Sequence, residues 1–387
     1  MAMVISGCLI YANHHWIEKG TLTFENGIIQ AIGSVPEVKA EKMYRFPESY
    51  RCIPGMIDMH IHGAGGADTM DATPQALRTM AELLPREATT AFLATTMTQS
   101  TAAVERALDN AARVVGKQKP GEAEMIGIHL EGPFINPSKA GAQPLRYIAA
   151  PSVTQFESFQ QAARGLIKEV TVAPELAGAS KLIQHLAAHH IVASIGHSDA
   201  IGTEMQEALS AGATQVTHLF NGMRGLHQRE PGVLGSALMH HNLYAELICD
   251  GRHVCQEMVA LAYRLKGSER MILITDAMRA KGLPEGTYDL GGQAVHVKNG
   301  LALLNSGTLA GSVLTMDQAM RNMMTYADAK LEDVIRMGAE NPADQCGVKN
   351  RKGSLQVGKD ADIVVLDAHN QPVLTLCRGA IGFERKE

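Results

Sequence analysis

Eight short apolar runs, each followed by a longer stretch with helical spacing, fill the middle of the chain and constrain its fold more than any other feature. They cover residues 52–61, 90–97, 125–130, 169–173, 191–195, 215–219, 245–249 and 271–275. Nearly continuous apolar character marks strands buried on both faces of a parallel sheet. The intervening stretches carry helix signals: Thr73 as a cap with Pro74 at the first helical position, the segment 102–115, and the segment 198–209 with Ser198 as its cap. Eight such repeats over about 250 to 290 residues predict an α/β fold built on a closed (β/α)8 barrel rather than an open sheet.

The two chain ends have a different texture. Residues 3–11, 20–25 and 28–32 are short β-prone runs, and Asn26-Gly27 between the last two is a hairpin signal. Near the other end, Gly358-Lys359-Asp360-Ala361-Asp362 leads into the run 363–366, followed by 372–376. The ends are therefore expected to form one small β-domain together, residues 1–53 with 354–387, around a barrel at 54–353.

Composition narrows the function. With 45% hydrophobic and 19% charged residues, the 387-residue chain is neither disordered nor low-complexity. Basic residues number 35 against 40 acidic, so no broad electrostatic footprint for nucleic acid is present. The opening segment MAMVISGCLI lacks a basic region and is interrupted by Ser6 and Gly7, and no apolar run approaches the roughly 20 residues of a membrane span. A soluble, cytoplasmic protein is expected, with neither nucleic acid nor membrane as partner. Its six cysteines lack CxxC spacing and are expected to be buried thiols rather than disulfides or a zinc knuckle.

The ionisable residues fall at the carboxyl-terminal strand ends. The first strand finishes Asp58-Met59-His60-Ile61-His62-Gly63, and a period of two puts His60 and His62 on one face, where both reach a single metal. The third ends His129-Leu130-Glu131, the fifth Gly196-His197, the sixth Thr217-His218 and the eighth Thr275-Asp276. Barrel enzymes build their sites on that face, and imidazoles with carboxylates suit zinc, iron or a related divalent ion. One HxH pair is weak evidence; four histidines, a glutamate and an aspartate at five strand ends are strong evidence. His129 shares the face of Glu131 but reads as a packing residue. His185 and His189 belong to an outer helix, and His14-His15 and His240-His241 to the surface.

At these residues the sequence resembles the amidohydrolase superfamily, and within it the N-acetylglucosamine-6-phosphate deacetylases. The resemblance runs through residues 54–63, His129-Leu130-Glu131-Gly132-Pro133-Phe134, Gly196-His197-Ser198-Asp199, Thr217-His218-Leu219-Phe220-Asn221, Arg229-Glu230-Pro231-Gly232, Asp250-Gly251-Arg252-His253, Thr275-Asp276-Ala277-Met278 and Leu309-Ala310-Gly311-Ser312. It implies a metal-dependent hydrolase barrel, a composite β-sandwich from the two ends, and a homodimer. It makes Glu131, His197 and His218 ligands of the principal ion and His60 and His62 those of a second, with Glu131 as bridge. One or two ions per subunit, zinc or iron, are implied. Asp276 matches the catalytic aspartate, and Ala142, Gln143, Asn221, Gly222, Arg229, His253, Leu309, Ala310, Gly311 and Ser312 match substrate contacts, although Gln143 and Gly222 depart from the histidine and alanine of some relatives.

The implied reaction is hydrolysis of the acetamide of N-acetyl-D-glucosamine 6-phosphate to D-glucosamine 6-phosphate and acetate, in amino-sugar catabolism. A divalent ion lowers the pKa of bound water to about 7 and polarises a carbonyl. Asp276 would accept the proton of the attacking water and return it to the departing amine. Arg229, helped by His253, offers the phosphate a bidentate fork. Two other readings stay open: deacetylation of the C4 epimer, N-acetylgalactosamine 6-phosphate, and a non-catalytic sensor of amino-sugar phosphates. Relative turnover on the epimers separates the first, and any turnover excludes the second.

Overall fold

The computed structural model describes residues 2–33 and 42–386. All eight expected strands form and pair in chain order as one parallel sheet: Met56–Ile61, Thr89–Thr95, Glu124–Glu131, Ile167–Val172, Val192–Ile195, Gln215–Val216, Tyr244–Ile248 and Met271–Ile274. The first and eighth meet through a buried carboxylate. Asp58 accepts the Thr275 amide at 3.2 Å and its hydroxyl at 2.5 Å. One step beyond, the Asp276 amide donates to the His60 carbonyl at 2.9 Å, and Ile61 bridges Ala277. Helices Pro74–Leu83, Thr101–Val114, Val153–Ala162, Ala179–Ala188, Gly202–Ala211, Gly232–Met239, Gln256–Lys266 and Met316–Ala327 each pack against the next around the barrel. Thr73 and Ser100 cap the first two, accepting the Ala76 and Ala103 amides. No helix among the described residues is long and apolar enough to cross a membrane.

The chain ends supply two further sheets. Ile28–Gly33, Thr21–Glu25, Met3–Ser6 and Lys42–Arg45 form one; Ala380–Glu384, Pro372–Cys377, Ile363–Leu366, Arg51–Pro54, Leu9–Ala12 and His15–Ile17 form the other. Ile5, Leu22, Phe24 and Ile29 share one buried cluster with Ile10, Ile363, Val365 and Leu376, each worth about 1.5–3 kcal/mol when fully buried. The run 3–11 divides between these sheets at Gly7, whose φ of +91° a side chain rarely adopts. Asn26-Gly27 makes the expected hairpin, both residues at positive φ.

The run 52–61 likewise divides at Gly55, leaving Arg51–Pro54 in the six-stranded sheet and Met56–Ile61 in the barrel. A Cβ at Gly55 would lie 2.1 Å from Thr90 Oγ1 and 2.7 Å from Thr90 Cβ. Thr90 is buried in a strand and has little room to yield. Gly55→Ala is therefore expected to destabilise the protein by about 1–3 kcal/mol, the usual cost of overpacking. Urea unfolding checks this, and an unchanged midpoint would contradict it.

The structure corrects three expectations and adds one element. Ser198 is not a helix cap: the helix starts at Gly202, Glu204 accepts the Ile201 amide, and the Ser198 hydroxyl donates to Glu175 instead. The sixth strand ends at Val216 rather than at 219, because His218 and Phe220 take positive φ and turn the chain away. Cys255 is exposed; the other five cysteines are buried, and all six are free. A third small sheet, Gly286–Leu290, Gln293–Lys298 and Leu301–Leu304, was not anticipated. It covers Met97, Met278 and Ala310 with Leu290, Val295 and Ala302 and walls one side of the barrel mouth.

Candidate metal centre and pocket

Glu131, at the end of the third strand, is the hub of the barrel mouth. Its Oε1 lies 3.1 Å from His197 Nε2, 3.2 Å from His218 Nε2 and 3.5 Å from His60 Nε2, while its Oε2 lies 3.2 Å from His62 Nε2. Asp276 Oδ1 faces the same pair from the eighth strand, 3.3 Å from His62 Nε2 and 3.5 Å from His60 Nε2. These side chains are all nearly or wholly buried. Two groups that could hold a metal ion result at the mouth, Glu131 with His197 and His218, and His60 with His62 and Asp276; a third, His60 with His129 and Glu246, lies on the far side of the His60 ring.

The imidazoles are aimed by what lies behind them. His197 Nδ1 sits 2.8 Å from the Lys139 carbonyl and His218 Nδ1 3.0 Å from that of Asn221. Carbonyls only accept, so Nδ1 carries a proton in both rings and both Nε2 atoms face Glu131, 3.1 Å from each other. His60 Nδ1 meets the Glu246 carboxylate at 3.0 Å, which directs its Nε2 inward as well; that atom is buried with no hydrogen-bond partner among the described residues. Lone pairs and carboxylate oxygens converging on one buried point fit a divalent cation, and the N/O donor set suits zinc or iron.

Backbone geometry holds these side chains where the strands end. His197, His218 and Asp276 have φ of +46°, +30° and +47°, conformations costing about 1–3 kcal/mol each and kept only where neighbours enforce them. For Asp276 the enforcing bonds are its amide to His60 O and its carbonyl to Ser312 N, at 2.9 and 2.7 Å.

The electrostatics follow from the same contacts. Burial pushes Glu131 and Asp276 up, but the facing imidazoles outweigh it and both stay below the ordinary carboxylate range, so both are ionised at neutral pH. Burial lowers His62, and Asp276 and Glu131 more than reverse this, lifting it to about 10. A coordinated nitrogen cannot keep that proton. Zinc binding near neutral pH is therefore expected to release protons, with affinity rising with pH up to about 10. Calorimetric titration in buffers of different ionisation enthalpy measures the release; heats independent of the buffer would contradict it.

Beneath the ligands lies a buried network that the sequence reading missed. Gln215 Nε2 bridges Glu169 (2.6 Å) and Glu246 (2.9 Å), and His129 Nε2 bonds the Thr171 hydroxyl at 2.7 Å. Burial and the nearby His60 hold His129 well below the usual histidine value, so it packs as a neutral ring.

This cluster opens onto a cavity of about 220 Å³. Among the residues matched to substrate contacts, Ala142, Gln143, Asn221, Gly222, His253, Leu309 and Gly311 line it, with Met97, Leu290 and Thr308. Gln143 is tied at both ends, accepting the Thr98 amide at 2.8 Å and donating to Glu131 Oε2 at 2.7 Å, so it orients that carboxylate. Gly222 is crowded: a Cβ there would lie 3.1 Å from His197 Nδ1. His253 turns Nδ1 to Asp250 Oδ2 at 2.7 Å. Three matched residues lie off the cavity wall. Ala310 is packed into the small sheet's cluster, and the Ser312 hydroxyl is used on the Thr275 carbonyl at 2.5 Å. Arg229 is exposed on the loop 224–230.

A family model described as "Amidohydrolase family" matches residues 51–381. The chain is 44% identical over 389 residues to the N-acetylglucosamine-6-phosphate deacetylase of Bacillus subtilis (strain 168), covering 100% of this chain and 98% of that protein. The chain belongs to the amidohydrolase family, and within it to the N-acetylglucosamine-6-phosphate deacetylases. This amidohydrolase is also 34% identical to the N-acetylgalactosamine-6-phosphate deacetylase of Escherichia coli O157:H7, over 95% of this chain and 96% of that protein. Among solved structures it resembles a mutant of the N-acetyl-D-glucosamine-6-phosphate deacetylase of Mycobacterium smegmatis in complex with N-acetyl-D-glucosamine-6-phosphate, with a TM-score of 0.92 at 29% identity over 98% of this chain and 99% of that one.

Proposed function

We propose that this chain removes the acetyl group of N-acetyl-D-glucosamine 6-phosphate, giving D-glucosamine 6-phosphate and acetate. The observation that carries the reading is Asp276, an ionised carboxylate at the cavity wall beside His60, His62 and Glu131, in a chain so similar along its whole length to deacetylases of that sugar.

Glu131, His197 and His218 would hold the principal ion, with His60, His62 and Asp276 facing a second; zinc or iron is the proposed metal. Such an ion supplies Lewis acidity toward the acetamide oxygen and makes water a better nucleophile. The remaining work falls to the chain. Asp276, held ionised by the two imidazoles, would take a proton from water on its carboxylate and return it to the departing amine. Gln143 fixes the plane of Glu131, so the hub does not rotate as charge develops. Asn221, Leu309 and Gly311 shape the wall against the sugar.

His253 would bind the phosphate. Burial lowers its pKa and Asp250 more than offsets this, favouring an imidazolium on the cavity wall. Arg229 is the proposed second phosphate group. Its exposed place fits delivery to the cavity of a second copy, and the proposed homodimer is supported by Leu226 and Met239 on the same loop and helix, 64% and 59% exposed.

Specificity is tested by comparing turnover of N-acetylglucosamine 6-phosphate, its C4 epimer and the unphosphorylated sugar. The expected order places the first well ahead of both. Preference for the epimer would transfer the reading to N-acetylgalactosamine 6-phosphate, and indifference to the phosphate would remove His253 and Arg229 from their roles.

A further inference from the structure

The two ligand groups are supported unequally. Behind the Glu131, His197 and His218 group stand two neutral backbone carbonyls, those of Lys139 and Asn221. Behind the His60, His62 and Asp276 group only one carboxylate, Glu246, is hydrogen-bonded to a ring; His62 Nδ1 is buried with no hydrogen-bond partner among the described residues, and the buried Asp68 acts on His62 only through its charge. Glu246 is wholly buried on the seventh barrel strand. Its Oε2 accepts His60 Nδ1 at 3.0 Å and the His218 amide at 3.2 Å, and its Oε1 accepts Gln215 Nε2 at 2.9 Å. Among the described residues His60 is its only ion partner, and no lysine or arginine pairs with it.

A buried carboxylate without a cation is costly. Glu246 lies beside the buried carboxyl of Glu169, and its contact toward the ligand side is the His60 ring at 3.0 Å. A carboxylate behind a ligating histidine also fixes the tautomer and strengthens the nitrogen as a donor. We propose that Glu246 is the positioning residue that lets the His60, His62 and Asp276 group hold an ion, and so decides whether this protein carries two ions or one. The inference rests on the metal-dependent reading above and assigns it a determinant outside the ligand set. In sequence terms, a chain of this kind with an uncharged residue at this position would be expected to fill the second group poorly even with both histidines present.

The test is metal binding rather than turnover. Purified protein is stripped with a chelator and titrated with zinc, and bound zinc per chain is counted after equilibrium dialysis. The natural protein is expected to take two ions. Glu246→Gln keeps the shape and an acceptor for the His218 amide while removing the charge. It is expected to bind the first zinc as before and the second about 10- to 100-fold more weakly, the usual effect of such a partner. Equal weakening of both ions, or of neither, would overturn the proposal. Should that variant fail to fold, nitrogen NMR of the zinc-loaded natural protein reads the same feature: His60 protonated on Nδ1 and ligating through Nε2 is expected, and the opposite tautomer would overturn it. A natural protein that binds one zinc and still releases acetate would sink this inference while leaving the deacetylase reading intact.

Discussion

Asp276→Asn is expected to lower kcat by about 10²- to 10⁴-fold, the range that general acid–base groups contribute, with a much smaller change in KM. Asparagine fills the same space and can still face His60 and His62, but it cannot take a proton from water and give it to an amine. The main-chain bonds to His60 and Ser312 do not involve the side chain, so the turn at the end of the eighth strand should persist. Zinc at the Glu131, His197 and His218 group should persist too, and it must be measured on the same sample so that lost chemistry is separated from a lost ion. Near-normal turnover with the metal retained would remove Asp276 from the mechanism.

Glu131→Gln should act earlier, on the ion itself. The Glu131 carboxylate is within 3.5 Å of four imidazole nitrogens. Removing one partner of a buried charged cluster costs about 3–5 kcal/mol, equivalent to roughly 10²- to 10⁴-fold in affinity. Zinc binding is expected to weaken by that factor, and activity should vanish at zinc concentrations that saturate the natural protein. Unchanged zinc affinity would show that Glu131 is not the hub. The two substitutions thus fail differently: one leaves a loaded and inactive protein, the other an unloaded one.

Much of this was legible because a barrel strand buried on both faces writes itself as an apolar run, and a ligand at its end interrupts that run in a fixed place. His60, His62, Glu131, His197, His218 and Asp276 stood out for that reason, and the fold brings them within hydrogen-bond distance of one another or of Glu131. Glu246 and Glu169 were missed because they stand at or next to the start of the runs 245–249 and 169–173 and were taken as their edges; the strands begin earlier, at Tyr244 and Ile167, which puts both carboxylates mid-strand. The small sheet over the barrel mouth carried its own signals, Gly291-Gly292 and Asn299-Gly300 between β-prone segments, in a stretch read only as part of the barrel. The segment 309–312 shows a further limit. Leu309 and Gly311 line the cavity while Ala310 and Ser312 turn into the packing, an alternation that depends on where the extended segment is anchored. Arg229 illustrates the last one, since it lies exposed and off the wall of the cavity of its own chain, and a lone arginine in a loop carries no signal of where it ends up.

The most direct measurement is acetate release from N-acetylglucosamine 6-phosphate by the purified protein, with bound metal counted before and after chelation and after reloading with zinc or iron. The expected result is rapid release that disappears with the metal and returns with it. Release that survives complete removal of the metal, or none from a fully loaded protein, would contradict the account.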